Sequence, residues 1–180
     1  DCAILDSFCI KENLNWSFGA SYGIAITSDG TNFFAVWSQG EGSQNYNIYG
    51  ARITPDAVVL DTIEIYAQNG IMFLPQVAFD GVNYTVVWTH YIEENIADIY
   101  GARVTTDGQV IDTIPVLLVS QQGFAPDIAF TEDKYILVWQ TKENYGEVAG
   151  AEVNTELVLT DTIDVSSMMS SYVIPTISVA

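Results

Sequence analysis

At 180 residues, the chain is long enough to bury a sizeable core in one domain or in two small ones. Its 23 acidic and 5 basic residues give a net charge of −18, which repels a phosphate backbone and excludes nucleic acid as a partner. Hydrophobic residues make up 49% of the sequence, so it is not a disordered tail, yet no apolar run approaches the roughly 20 residues of a membrane-spanning helix. Plain solubility, a saline habitat or bound cations could each account for the acidity.

The N-terminal segment is predicted to contain one strand. The chain opens at Asp1 without a methionine or a signal sequence, which is typical of a mature secreted chain or an excised fragment. Residues 3–10 align with the last strand of the repeat described below, and one extended strand would separate Cys2 from Cys9 by about 23 Å. A disulfide needs Cα atoms within ~7 Å. We therefore expect no bond between these cysteines unless a turn intervenes.

Three tryptophans mark an internal repeat. Trp37, Trp88 and Trp139 lie 51 residues apart, and each ends a short apolar run such as residues 84–88. Both alternating faces of these runs are apolar, which is typical of a strand covered on both sides. The three tryptophans are therefore predicted to be structural core residues rather than platforms on which a sugar stacks.

Three further landmarks recur in the same order around each tryptophan. Around Trp88 they are Pro75–Phe79, Ile99–Arg103 and Ile111–Ile114, each rich in strand-forming residues and bounded by Gly, Asn, Asp or Pro. We predict four antiparallel strands per unit, named a to d in chain order, with the tryptophan run as strand b. Four strands in about 51 residues are typical of a propeller blade. The predicted fold class is all-β and β-propeller-like, with three full blades and partial blades at both ends.

The landmarks also predict the boundaries of a single repeat domain over residues 1–180. Its parts are a partial blade at 1–22, full blades at 23–65, 74–119 and 125–165, and the first strand of a further blade at 172–180. Propellers typically have at least four blades. Either the sequence is part of a longer chain, or other copies of the protein supply the missing strands. In the second case we expect assembly through four residues of the terminal strand edges, namely Leu5, Ile10, Ile174 and Ile177.

The stretch from Phe79 to Trp88, followed by Asp98–Arg103, resembles repeats of large secreted or surface proteins of bacteria and archaea. Those repeats look propeller-like and occur in long arrays. The resemblance covers nearly the whole chain, although the third copy departs from it at the Asp-Gly turn and at the arginine. It implies the fold and an extracellular or cell-surface location, and it implies no chemistry.

The inventory of catalytic side chains is sparse, and no catalytic residue or cofactor is predicted. His90, the single histidine, follows the second b strand and has no counterpart in the other copies, which favours an ordinary strand-end role. Any Ser-His-Asp triad would have to use it, and the Gly-x-Ser-x-Gly elbow is absent. One histidine and two separated cysteines also argue against zinc. Carboxylates are plentiful, but nothing singles out a glycosidase pair.

Acidic residues in two of the loops between strands b and c are the best metal candidates. They are Glu93, Glu94 and Asp98 in the second copy, with Glu143 and Glu147 in the third. Calcium prefers cages of oxygen ligands. A calcium site is one interpretation of these loops, and a solvated acidic surface is the other.

Arg52 and Arg103 occupy the same repeat position, as do Asp61 and Asp112. An ion pair between strands c and d is one interpretation. The third copy would place Glu152 against an aspartate, so packing of the arginine stem is the favoured prediction.

The leading functional prediction is a non-enzymatic extracellular repeat module. It would act as a structural or assembly subunit of a cell-surface or secreted appendage, with other copies of itself or further blades as partners. The alternative is a lectin-like or protein-binding module that uses the variable loops between strands b and c. A fragment of a glycan-active enzyme is the least favoured prediction.

Overall fold

The computed structural model describes residues 9–10, 23–40, 45–93, 96–121, 123–141, 147–164 and 177. Within these residues, regular structure consists of strands, and no helix there is long and apolar enough to cross a membrane. The strands are β1 (Ile24–Ser28), β2 (Phe33–Gly40), β3 (Tyr46–Ile53), β4 (Val59–Tyr66), β5 (Ile71–Phe79), β6 (Asn83–Glu93), β7 (Ile96–Thr105), β8 (Val116–Val119), β9 (Phe124–Thr131), β10 (Lys134–Gln140), β11 (Val148–Val153) and β12 (Leu159–Asp164). The predicted all-β class is confirmed.

The strands form three antiparallel four-stranded units, each paired in chain order. Unit 1 contains β1–β4, unit 2 contains β5–β8 and unit 3 contains β9–β12. A single parallel bridge between Tyr46 and Ile71 joins units 1 and 2 into one eight-stranded sheet, whereas unit 3 is a separate sheet. The repeat in the sequence therefore corresponds to a repeat of sheets.

Aspartate-led turns explain why the first strand of units 1 and 2 folds back on the second. The Oδ1 atom of Asp29 accepts N–H bonds from Thr31 at 2.7 Å and Asn32 at 2.6 Å, and Asp80 makes the equivalent turn in unit 2. Gly81 has a φ of +93°, a conformation that glycine adopts without steric cost. In unit 3, Glu132 takes a positive φ of +55° in the corresponding turn. The loss of glycine there changes the turn but keeps the hairpin.

The core lies between units that pack face to face. One apolar cluster joins units 1 and 2 and includes Phe34, Tyr84 and Trp88, and a second joins units 2 and 3 and includes Tyr135 and Trp139. The three repeated tryptophans are buried, with exposed fractions of 5%, 0% and 7% in chain order. Each of the two clusters draws on strand b of the later unit.

Hydrogen bonds repeat between consecutive units as well. The hydroxyl of Tyr84 in unit 2 donates to Asp29 Oδ2 in unit 1 at 2.7 Å, and that of Tyr135 in unit 3 donates to Asp80 Oδ2 in unit 2 at 2.9 Å. Burial and these aspartates raise the pKa of both tyrosines, although Thr85, which donates to the Tyr135 hydroxyl, works in the opposite sense there. The same bond therefore fixes the spacing at both junctions.

The prediction that only the arginine stems would pack was wrong. Arg52 binds Asp61 at 2.5 Å, and Arg103 binds Asp112 at 2.8 Å, so the ion pair between strands c and d does form in units 1 and 2. Each arginine also reaches into the next unit, where Nη1 of Arg103 donates to the carbonyl of Thr155 at 3.1 Å. These arginines therefore connect strands within a unit and units with each other.

Unit 3 avoids the clash that the sequence suggested between two acidic residues. Glu152 lies opposite Asp161 in the ladder, as the sequence suggested, but its carboxylate binds Lys134 on β10 at 2.7 Å. In units 1 and 2 the basic residue is on strand c, whereas in unit 3 strand c carries the acidic residue and strand b the basic one. An ion pair is thus kept in each unit through different residues.

The predicted d strand of unit 2 was misplaced. Residues 111–114 are not a strand, and the outer strand is Val116–Val119. The carboxylate of Asp112 accepts the backbone N–H of Arg103 at 2.9 Å, a group that an ordinary strand pairing would use. Pro115 follows and has no N–H to donate. The ladder therefore begins only after the proline.

Candidate functional site

Polar side chains collect at the end of the units where the loops between strands b and c lie, which we call the loop end. Near each loop, strands b and c place Gln39 opposite Asn47 in unit 1 and His90 opposite Asp98 in unit 2. In unit 3 the N–H of Thr141 donates to the carbonyl of Glu147 at 2.9 Å. Asn47, Asp98 and Glu147 hold the same repeat position. The loop end thus repeats a polar position with different chemistry in each unit.

A pocket of about 300 Å³ lies at the loop end of unit 1, beside the linker to unit 2. Its lining residues are Asn45, Asn47, Ala67, Gln68 and Asn69. Four of these described residues carry a side-chain amide, and none of the five carries an ionisable group. We call it the amide pocket.

The linker that forms one wall of the amide pocket is tied to β3. The N–H of Gly70 donates to Asn45 Oδ1 at 3.3 Å, and the N–H of Tyr46 donates to the carbonyl of Gly70 at 2.9 Å. Gly70 has a φ of +143°, and a Cβ at this position would lie 2.7 Å from Nε2 of His90. Glycine is therefore required here, and it brings the linker directly onto the histidine.

His90 belongs to a cluster of ring side chains behind this linker. Its ring centroid is 5.6 Å from that of Tyr100, and Trp88 stacks on the same tyrosine at 6.5 Å. Burial lowers the pKa of His90, and the nearby carboxylate of Asp98 offsets part of that effect. Burial therefore favours the neutral form of the imidazole.

Trp88 carries a buried polar atom without a partner among the described residues. Its Nε1 makes no hydrogen bond there, whereas Nε1 of Trp37 lies 3.5 Å from Oε1 of Gln39 in unit 1. His90 takes the repeat position of Gln39. Unit 2 therefore lacks, at this position, the side-chain amide that accepts the indole N–H in unit 1.

The linker between units 2 and 3 is bound differently. Asp98 Oδ1 accepts the N–H of Gln121 at 2.7 Å, and the carbonyl of Ala97 accepts the N–H of Gly123 at 3.1 Å. A Cβ on Gly123 would lie 2.6 Å from the side chain of Ile99, so this linker packs tightly on β7. The carboxylate at this repeat position binds backbone and closes the junction.

The structure does not bring together the three predicted metal ligands that it describes. Glu93 is exposed near the end of β6, Asp98 is buried and holds Gln121, and Glu147 is half-buried before β11. Glu94 and Glu143 lie outside the described residues. Among the residues that are described, no three His, Cys, Asp or Glu side chains cluster as a metal site would require. Calcium binding stays a prediction.

Two of the four predicted assembly residues fall in segments that the structure does not describe. Leu5 and Ile174 lie there, and Ile10 is half-buried in a bend. The N–H of Ile177 donates to Asp127 Oδ2 at 2.7 Å, so this amide has a partner within the chain. Burial raises the pKa of Asp127 in spite of that bond. Exchange of strands between copies stays a prediction.

Comparison with solved structures places the fold among propeller-like all-β proteins. An endo-arabinase from Bacteroides thetaiotaomicron matches with a TM-score of 0.64 and 16% identity, over 92% of this chain and 67% of that one. An α-L-arabinofuranosidase from Lactobacillus brevis matches with a TM-score of 0.56 and 10% identity, over 80% and 54%. The subtype N10 neuraminidase-like protein of A/little yellow-shouldered bat/Guatemala/060/2010 matches with a TM-score of 0.59 and 12% identity, over 78% and 43%. No family model and no curated protein matches the sequence.

These matches contradict the leading functional prediction. The structures that share the fold are arabinan-type hydrolases and a neuraminidase-like protein by name, not structural or assembly subunits. The prediction of a non-enzymatic appendage subunit was therefore wrong. At 10 to 16% identity the likeness is one of fold, and this chain spans between 43% and 67% of the length of these structures.

Proposed function

We propose that this chain forms part of a β-propeller that acts on carbohydrate, and that the amide pocket is a sugar-binding site within it. The observation that carries the proposal is the pocket itself, in which four amide side chains surround about 300 Å³ at the loop end. Units 1 to 3 are three blades of this propeller, and their loop end is its ligand-binding side. The proposal assigns binding, and no catalytic step, to the described residues.

Amide side chains suit a polyhydroxylated ligand. Each amide offers one acceptor oxygen and two N–H donors, and a sugar hydroxyl both donates and accepts. A pocket with a few convergent polar groups and a volume of about 300–1,000 Å³ is typical of small-molecule sites. Gln68 and Asn69 are exposed, and Asn47 is only 5% exposed at the base of β3. The pocket therefore combines a fixed amide with accessible ones.

The fold neighbours support carbohydrate as the ligand class. Two of them are named for activity on arabinose-containing glycans. Binding sites of related architectures recur on loops carried by a rigid scaffold. An extracellular location fits a protein that meets polysaccharide, and it stays a prediction.

Titration with neutral oligosaccharides tests the proposal. Calorimetry with arabino-oligosaccharides and with galactose- or glucose-based ones should give saturable binding to the protein. Gln68→Ala and Asn69→Ala change exposed pocket residues, and we expect each to weaken binding about 10-fold, since a lost hydrogen bond is worth about 0.5–1.5 kcal/mol. Gln109→Ala, an exposed amide in the turn at the opposite end of unit 2, is the matched control and should bind normally. Saturable binding that both pocket variants leave intact would place the sugar elsewhere.

A further inference from the structure

We infer that the amide pocket accepts one uncharged sugar residue and discriminates against sugar acids, and that Asn47 is the residue that sets this preference. The inference rests on the proposed function and adds the class of ligand to it. Three observations carry it, namely the charge of the surroundings, the chemistry of the amides and the contrast with the second junction.

Among the described residues, no basic side chain lines the pocket to bind a sugar carboxylate. The net charge of the chain is −18, and none of the five described lining residues is basic. Three of the five basic residues are described, and each is held in an ion pair, Arg52 by Asp61, Arg103 by Asp112 and Lys134 by Glu152. A carboxylate entering the pocket would lose part of its hydration without gaining a counter-ion from the described lining residues. Sugar acids are therefore disfavoured.

The amides are set up for hydroxyl groups. Oδ1 of Asn45 accepts the N–H of Gly70, so the groups of this amide that are left for a ligand are chiefly its Nδ2 donors. Asn47, Gln68 and Asn69 add further donors and acceptors around the same space. A volume of about 300 Å³ lies at the lower limit of small-molecule sites, which run to about 1,000 Å³. One sugar residue, rather than an extended chain, matches this size.

The second junction indicates what a carboxylate would do at the repeat position of Asn47. Asp98 holds that position in unit 2 and accepts the N–H of Gln121 from the following linker at 2.7 Å. A charge-assisted bond of this kind is about twice as strong as a neutral one. An aspartate at position 47 would draw the first linker inward and add negative charge. Asn47 therefore keeps the pocket both open and neutral.

Chemical-shift mapping on ¹⁵N-labelled protein tests the inference with defined probes. Methyl glycosides of arabinose and galactose should shift the backbone amides of residues 68–70, and methyl galacturonide and glucuronide at the same concentration should bind at least 10-fold more weakly. Asn47→Asp should abolish binding of the neutral glycosides, and Asp98→Asn, the reverse exchange in unit 2, should leave it unchanged.

A second pair of variants keeps the test valid if Asn47→Asp does not fold. Gln68 is exposed, so Gln68→Lys and Gln68→Glu should both fold. The lysine variant should gain affinity for the sugar acids by about 10-fold, and the glutamate variant should not. Equal binding of acids and neutral glycosides by the unmodified protein would overturn the inference but leave sugar binding intact. No binding of any glycoside would overturn both.

Discussion

The two junctions between units share a plan and differ at their loop end. In both, a tyrosine hydroxyl binds the turn aspartate of the preceding unit, and an arginine donates to a carbonyl of the following one. At the loop end, however, the first junction has Asn47 beside a pocket, and the second has Asp98 bound to the backbone of Gln121. The contacts at the end that carries the turns between strands a and b are therefore the same in both junctions, whereas the contacts at the loop end differ.

The contrast lies in the side chain that holds each linker to the neighbouring strand, which is a carboxylate in the second junction and an amide in the first. A carboxylate oxygen at position 98 attracts a backbone N–H from the linker. The amide at position 47 leaves that role to Asn45, which meets Gly70 at 3.3 Å. The amide side chains of this first linker, Gln68 and Asn69, therefore line the pocket.

The largest expected effect concerns the core that both junctions depend on. Trp88 is fully buried between units 1 and 2. Trp88→Ala should lower the free energy of unfolding by about 3–5 kcal/mol, because it removes a large buried side chain and leaves a cavity. Urea denaturation measures this, and a loss below about 1 kcal/mol would contradict face-to-face packing of the units.

Arginine replacements rank the two junctions by strength. Arg103→Ala leaves Asp112 without its guanidinium partner at a site where both side chains are mostly buried, at 17% and 12% exposure. We expect a loss of about 2 kcal/mol, in line with a hydrogen-bonded charge pair. Arg52→Ala should cost less, because Asp61 is 35% exposed. Equal losses in thermal or urea unfolding would contradict the stronger second junction.

Tyrosine hydroxyls give a smaller effect. Tyr135→Phe removes the donor to Asp80 and the acceptor for Thr85, and should cost about 1 kcal/mol. Tyr84→Phe loses only the bond to Asp29 and should cost less. The natural Phe33 at this repeat position of unit 1 indicates that phenylalanine fits the strand. A larger effect at Tyr84 would reverse the ranking.

The last expected effect is the pH dependence that His90 contributes at the first junction. Burial lowers the pKa of His90 in the folded chain, so the unfolded chain binds a proton more readily. Stability should therefore fall as pH drops below about 6.5, by at most about 1.4 kcal/mol per pH unit from this group. His90→Gln, which installs the residue of unit 1, should remove that slope. An unchanged slope in denaturation between pH 7 and 5 would assign it to other groups.

The strand-rich fold could be predicted from the sequence because the same pattern of short apolar runs and turns recurs three times. Tryptophans at a constant spacing, with Asp-Gly turns before two of them, specify hairpins that tertiary packing does not override. The outer strand of unit 2 was misplaced because Asp112 looks like part of a strand until its bond to the Arg103 N–H is known. The ion pairs between strands c and d were not predicted because the third copy has Glu152 in place of the arginine. Its actual partner, Lys134, lies on strand b, and the repeat pattern gives no sign of that pairing.

The candidate site was largely hidden in the sequence. The loops between strands b and c were expected to vary, but their acidic residues predicted a metal site and gave no indication of a pocket lined by amides. Gln68 and Asn69 lie in a linker where such residues are ordinary. Only folding brings them next to Asn45 and Asn47. The alignment of Asn47 with Asp98 was the one available clue, and it gains meaning only from the contacts of each.

Chemical-shift mapping with a neutral methyl glycoside tests the central contrast most directly. The account predicts shifts at residues 68–70 of the first linker and none at Gln121 and Gly123 of the second. Shifts at the second linker, or an unperturbed first linker at saturating glycoside, would contradict it.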